Sequence, residues 1–397
     1  MGLHGVQNVS SIMKNRTAIG LILSVTMLSV IGVPSVVPVF PAMSENLNIP
    51  GNQIGLFITV FSLPGAALAP VLGMVIDRYG RKRILIPALL LFGISGSACY
   101  FASSFELMLV FRFFQGLGAA GLGIINITLI GDLFTGPQKI KVMGYNSGVM
   151  SVGMALFPAL GGLLATFHWR YPFLIPLLAL IVAILIYRFL NNPEPTEKPK
   201  FSSYLRNTFK SVTSKESIVL FLLTFITFLL LFGVVMTYMP IMLKDRFGLS
   251  SSEIGLMISF MALTAGAMAA FLSRITKLLS MKALISAGLV AFLIGFAYIP
   301  FVDNFYVLLA LLLIIGMGQG INIPTIFNIL TSIAPLEHRG AFMSVNSMTT
   351  RAGQTAGPLM AGFIFALGGL QWVFWAGAAT AFAFLIVLIF FTPPFRD

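Results

Sequence analysis

Charge is scarce in this chain. Only 9% of its 397 residues are Asp, Glu, Lys or Arg, against roughly 25% in soluble domains, which excludes a water-soluble fold with an ordinary charged surface. Acid is scarcer than base, with 12 Asp and Glu against 24 Lys and Arg. The single cysteine, Cys99, excludes an internal disulfide. The three histidines (His4, His168, His338) are too scattered to form a metal-ligand cluster, and no His/Asp/Ser or His/Glu constellation marks an enzyme. No metal and no catalytic residue is expected. No cleavable signal peptide is evident, because the first apolar run exceeds a typical signal core and can direct insertion itself.

What the chain has is apolar length. Hydrophobic residues make up 58% of it and mean hydropathy is +0.98, so it is a polytopic membrane protein. A helix needs about 20 apolar residues to cross the hydrocarbon core. Twelve stretches qualify, near 17–40, 52–76, 83–103, 105–131, 140–165, 169–190, 217–241, 252–274, 282–301, 304–333, 341–366 and 370–392. The prolines and glycines inside them (Pro34, Pro38, Pro64, Pro158, Pro324, Pro358) are tolerated in membranes as kinks and close-contact points.

The net charge of +12 does not indicate nucleic acid, because the bases sit in short gaps between apolar runs rather than on a soluble face. With the N-terminus inside, 19 of the 24 Lys and Arg fall in cytoplasmic segments. Arg170, Lys244 and Arg246 fall outside, and Arg112 and Arg351 fall within helices. Lys/Arg bias sets orientation, so both termini are expected in the cytoplasm. The one long polar stretch, 191–216, carries Pro193, Pro195 and Pro199 and reads as a cytoplasmic linker between six-helix bundles at 1–190 and 217–397.

A repeat runs at a shift of 200 residues. Ile54-Gly55-Leu56 recurs as Ile254-Gly255-Leu256. The register persists through Gly116/Gly316, Gly118/Gly318, Asn146/Asn346, Gly153/Gly353, Pro158/Pro358 and Gly162/Gly362. Two parallel six-helix halves follow, and such halves flank a midplane site and rock about it.

The turn at 73–85 carries Gly73, Asp77, Arg78, Gly80, Arg81 and Lys82 in the order Gly-x-x-x-Asp-Arg-x-Gly-Arg-Lys. This resembles the loop signature of the major facilitator superfamily, and twelve spans with a parallel repeat agree over nearly the whole chain. Asp77 can accept from a helix N-terminus, where an anion is favoured, and helix 11 supplies the nearest candidate. Arg81 can reach Asp132 at the cytoplasmic end of helix 4. The resemblance implies that this charge cluster latches the outward-open state. The twin turn at 273–282 keeps the charge but loses the aspartate and both glycines, so the latch is one-sided.

Helix 4 carries Arg112-x-x-Gln115-Gly116-x-Gly118, which resembles the family's Arg-x-x-x-Gly-x-Gly signature and implies proton coupling. The alternative is structural, with Arg112 snorkelling or pairing with Glu106 or Glu45. Helix 5 carries Gly148, Gly153, Pro158, Gly161 and Gly162, similar to the antiporter signature Gly-x-x-x-Gly-Pro-x-x-Gly-Gly, with Phe157 where the glycine before proline belongs. Helix 11 holds a cleaner copy in Gly353, Gly357, Pro358 and Gly362. Such small-residue faces also serve general helix packing.

Arg351 lies about 15 Å deep on helix 11, with Gln354 at its i+3 position. An arginine there either anchors helices through hydrogen bonds or lines the cavity and touches substrate or a gating partner. The second reading is adopted, because bidentate arginine suits carboxylate or phosphate. Asn126, Tyr238, Gln319 and Asn322 are further cavity candidates. No acid lies at mid-membrane, which fits a neutral, zwitterionic or anionic amphiphile better than a cation. If protons drive transport, Glu45, Glu106, Asp132, Glu253 or Asp303 must titrate.

The resemblance implies a monomeric secondary transporter in the cytoplasmic membrane, moving a small molecule through the lipid bilayer. It implies no nucleic acid partner, and a proton gradient rather than a cofactor as energy source. The leading expectation is multidrug-type antiport. The alternatives are a specific carrier of an organic anion, siderophore-like metabolite or sugar, and a non-transporting receptor or scaffold.

Overall fold

The computed structural model describes residues 2–190, 214–334 and 339–391, without the side chains of 2–15, 69–71, 73, 74, 77, 339–341 and 391. All regular structure among the described residues is helical. The first half holds α1 (Gly2–Ile31), α2 (Leu56–Tyr79), α3 (Arg81–Ala98), α4 (Phe105–Leu133), α5 (Gly136–Phe167) and α6 (Leu178–Phe189). The second half begins with α7 (Lys215–Leu230), followed by α8 (Ser251–Ile275), α9 (Met281–Tyr298) and α10 (Phe305–Ile333). The last helical stretch, Arg339–Phe391, is broken at Gly369, where φ is 74 and ψ −166. Its two arms are α11 (339–368) and α12 (370–391). Nine described helices are long and apolar enough to cross a membrane, and Arg16–Ile31 and Leu56–Leu68 are shorter apolar helices. Each of the twelve expected stretches coincides with one of α1–α12. Most of the expected linker, 191–213, lies outside the described residues; its end, Ser214, caps α7 by accepting from the Ser217 N–H at 3.1 Å.

The turns follow from single residues. Gly80 separates α2 from α3 at φ 92, in a region costly for any residue with a Cβ. Asn48 (φ 50) and Gly248 (φ 66), 200 apart, each end a short helix in left-handed conformation. The same register governs the break in the first helix of each half. After Ile31, Pro34 and Pro38 withdraw backbone donors, and the chain passes through a 3-10 turn at Val37–Val39 into Phe40–Leu47. After Leu230 the equivalent stretch, Leu231–Tyr238, widens into a π-helix before Met239–Phe247.

The halves meet through α2 against α11 and α5 against α8. At both crossings a glycine lies against a proline carbonyl: Gly55 against Pro358, and Gly255 against Pro158. Gly162 abuts Ser251 and Gly362 abuts Asn52, again 200 apart. Thr59 Oγ1 donates to the Thr355 carbonyl at 3.1 Å, and the Tyr238 hydroxyl donates to the Gly51 carbonyl at 3.0 Å. All these contacts lie from mid-span to the end remote from the 73–85 turn. Toward the turn, Gly144 and Gly148 of α5 and Gly266 of α8 have nothing within 4 Å of a built Cβ. The named contacts between the halves thus lie from mid-span to the far end, while these three glycines toward the turn stand open.

Candidate functional site

At the basic turn, Arg81 Nε stands 2.8 Å from Asp132 Oδ2. The pair ties α3 to α4, both in the first half, so it fastens the turn to its own bundle. The portion of the expected latch that would reach the second half is Asp77, whose side chain, with the Gly73 site beside it, lies outside the described residues. Lys82 Nζ donates to the carbonyls of Tyr187 and Leu190 at 2.8 Å each, at the C-terminus of α6. Its twin Lys282 donates to the Ile389 carbonyl at 3.0 Å near the end of α12. Both complement the negative end of a helix dipole. Arg78 is exposed and lies over the Tyr79 ring.

Arg112 is enclosed within the first half. It is 1% exposed and donates from Nη1 to the Gly32 carbonyl and to Gln115 Oε1, both at 2.7 Å, and from Nε to the Phe57 carbonyl at 3.4 Å. Its guanidinium lies 4.4 Å from the Phe57 ring centroid and 4.3 Å from that of Phe61. The break after Ile31 frees the Gly32 carbonyl from the helical ladder, and Arg112 supplies the missing donor. The expected pairing with Glu106 or Glu45 is not the arrangement found. Nor does Arg112 or Gln115 face the space between the halves: both are sealed among α1, α2 and α4, because Gly116 and Gly118 let α4 press directly on the backbones of α2 and α3.

Asn126 is also turned into its own half. Its Nδ2 donates to Thr26 Oγ1 at 2.6 Å and to Asn146 Oδ1 at 2.8 Å, and Thr26 Oγ1 is itself bonded to Asn146 Oδ1. Sequence reading found the Asn146/Asn346 register but not this cluster. Polar residues at 26, 126 and 146 carry no local pattern, and only the packing of α1, α4 and α5 unites them.

In the second half Asn322 is fully buried and packs under Gly288 of α9 rather than lining a cavity. Gln319 is 8% exposed on the same helix. Tyr238 is another correction. It is buried in the far-end seal, stacked on Phe365 with centroids 5.1 Å apart, where its hydroxyl crosses to the other half. The π-turn at Leu231–Tyr238 swings it there.

Arg351 is the expected cavity residue that does face the other half. Its Cδ and Nε lie 3.4 Å from a built Cβ on Gly65 of α2, and its Nη1 donates to Gln354 Oε1 at 3.3 Å. Both side chains are half-buried. Gly65, not anticipated from the sequence, is the α2 residue that Arg351 packs against.

The glycine signatures divide. Gly153 meets Met27, Gly161 meets the Ser35 backbone, Gly353 meets Phe225, and Gly357 meets Leu229 and Gly233. Gly148 departs from expectation: nothing lies within 4 Å of it. Among the described acids, Asp303 pairs with Arg246 at 2.8 Å and Glu253 completes a capping box with Ser250.

The Major Facilitator Superfamily profile matches residues 22–278 and 220–397, two overlapping matches that together cover nearly the whole chain. The bacillibactin exporter of Bacillus subtilis (strain 168) is 28% identical over 394 residues, covering 96% of each chain. Multidrug resistance protein 1 of the same organism is 26% identical over 356 residues, 89% of this chain and 90% of that one. Among solved structures, a variant of the nucleoside transporter NupG matches with a TM-score of 0.79 at 13% identity, over 93% of this chain and 99% of that one. A chain whose described regular structure is all helical, matched over nearly its whole length by this profile, belongs to the Major Facilitator Superfamily and is a multi-pass membrane transporter.

Proposed function

We propose that this protein is a secondary active exporter that carries a small amphiphilic molecule out across the cytoplasmic membrane by alternating access, driven by a proton gradient. The observation that carries this reading is Arg351 with Gln354, a cation and an amide set mid-span on the face that α11 turns toward α2. The far-end contacts form the outer seal, and the separation toward the basic turn is an opening to the cytoplasm, with twelve spans and both termini on that side. Export, rather than uptake, is supported by the relatives, a bacillibactin exporter and a multidrug resistance protein. In this reading Asp77 reaches α11 when the halves close at the turn, and the Arg81–Asp132 pair keeps the turn in position for it. The protein acts as a monomer and uses no cofactor.

A second reading has one specific support. Arg351 has no acidic partner among the described residues, which favours an exporter dedicated to an organic anion. Everted vesicles given a substrate panel, with proton flux recorded, test both. The exporter reading expects accumulation that collapses with an uncoupler. No accumulation across cationic, neutral and anionic amphiphiles would overturn it. Competition by anions alone, abolished in Arg351→Ala, would select the second reading.

A further inference from the structure

The repeat has an imperfection at mid-span. In the first half Thr26, Asn126 and Asn146 hydrogen-bond to one another, with Asn126 Oδ1 left over. At the same register in the second half stand Ile226, Ile326 and Asn346. Asn346 Oδ1 accepts from Thr224 Oγ1 at 3.2 Å, and Ile326 supplies no amide to join it as Asn126 does in the first half. Close by, Thr227 Oγ1 is buried with no hydrogen-bond partner among the described residues. An enclosed hydroxyl left unpaired costs about 1–3 kcal/mol, so a partner from outside the chain is favoured.

A cavity of about 170 Å³ lies at this place, among α7, α10 and α11. Thr227, Asn346 and Thr350 supply its polar wall, and Phe228, Ile326 and Phe327 its apolar wall. Phe327 is 51% exposed at the rim. Thr350 immediately precedes Arg351 on α11. The volume is close to the roughly 150 Å³ that holds one benzene-sized group. No charged residue lines it, so a carboxylate inside would lie desolvated and unpaired. The unused groups are an amide N–H pair and hydroxyls, which ask for an acceptor.

We infer that this cavity is a substrate subsite for a single uncharged ring bearing a carbonyl, with the ring between Phe228 and Phe327 and the carbonyl accepting from Asn346 and Thr227. The inference rests on the exporter reading for its link to transport, though binding can be measured without it. The probe is 4-fluoroacetanilide, titrated by fluorine NMR against the full chain in lipid nanodiscs, with empty nanodiscs subtracted. Its hydrocarbon analogue 4-fluorocumene and its charged analogue 4-fluorobenzoate serve as comparisons.

Acetanilide is expected to bind tightest. Thr227→Val, which keeps shape and removes the hydroxyl, should weaken it by about five- to ten-fold, the loss of one hydrogen bond, while cumene stays within about two-fold. Ile326→Asn, which restores the first half's amide, should weaken acetanilide as well. Unchanged acetanilide affinity in Thr227→Val, or benzoate as the tightest ligand, overturns the subsite. Vesicle transport on the same preparations separates the two ideas: persistent export with no Thr227 effect removes the subsite alone, and a Thr227 effect with no export of any amphiphile removes the exporter reading alone.

Discussion

Gly55 lies against Pro358 so closely that a Cβ on the glycine would stand 2.7 Å from the proline carbonyl oxygen. Gly255 and Pro158 repeat the contact 200 residues away in register. The helices come this close because the glycine has no side chain in the way, the usual device for helix association in lipid.

Enlarging either glycine should therefore unseat the far-end seal. Gly255→Val is expected to shift the population toward the form open at that end and to slow transport by about ten-fold or more, as close backbone contact at a small-residue site is lost. Spin labels at 48 and 248 should report longer distances. An unchanged distance distribution would remove the seal from this crossing.

Arg112 should be structural first. Arg112→Leu leaves the Gly32 carbonyl and the Gln115 amide oxygen without their donor, at about 1–3 kcal/mol for each buried group. Denaturation by SDS in mixed micelles should show a loss of about 2–4 kcal/mol, with Arg112→Lys intermediate because a single ammonium cannot reproduce the fork. Full stability in Arg112→Leu would contradict the packing found.

Arg351 should behave oppositely. Its side-chain hydrogen bond to Gln354 is 3.3 Å long and half-buried, so Arg351→Ala should cost less than about 1 kcal/mol in the same titration. Transport should fall by about ten-fold or more, equivalent to about 1.4 kcal/mol of lost interaction. Normal transport in Arg351→Ala would exclude it from the path.

Lys82 and Lys282 offer a test of the repeat itself. Each caps the last helix of its half, so Lys82→Met and Lys282→Met should destabilise by similar amounts, about 0.3–1 kcal/mol. Strongly unequal losses would show that the two ends are not held in the same way.

For the Arg81–Asp132 pair, a double-mutant cycle with Arg81→Gln and Asp132→Asn should return a coupling of about 1 kcal/mol, the upper part of the range for partly exposed pairs. Zero coupling would make the 2.8 Å contact energetically idle.

How much was legible beforehand depends on how each feature is encoded. Hydropathy alone located the helices, since lipid demands long apolar runs whatever surrounds them. The 200-residue register named both members of the glycine–proline crossings, Gly55/Gly255 and Pro158/Pro358, but not which residue would meet which. Arg81 and Asp132 were paired correctly because an acid and a base at neighbouring helix ends have few other partners. Rotation of a helix about its own axis carries no such signal when nearly every face is apolar. Hence Arg112, Asn126, Asn322 and Tyr238 were expected in the cavity, yet packing turns all four elsewhere, while Gly65 and Thr227 went unremarked.

The amino-acid sequence by itself determined the solvent this protein lives in, its twelve apolar segments and the duplication of its halves, because these depend on composition and spacing along the chain. The tertiary structure decided which polar groups answer one another. Thr26, Asn126 and Asn146 bond to one another, whereas Asn346 bonds to Thr224 and the Thr227 hydroxyl stays unpaired. That difference exists only once α7, α10 and α11 are packed, since a hydrogen bond depends on distances of about 3 Å that no one-dimensional register records.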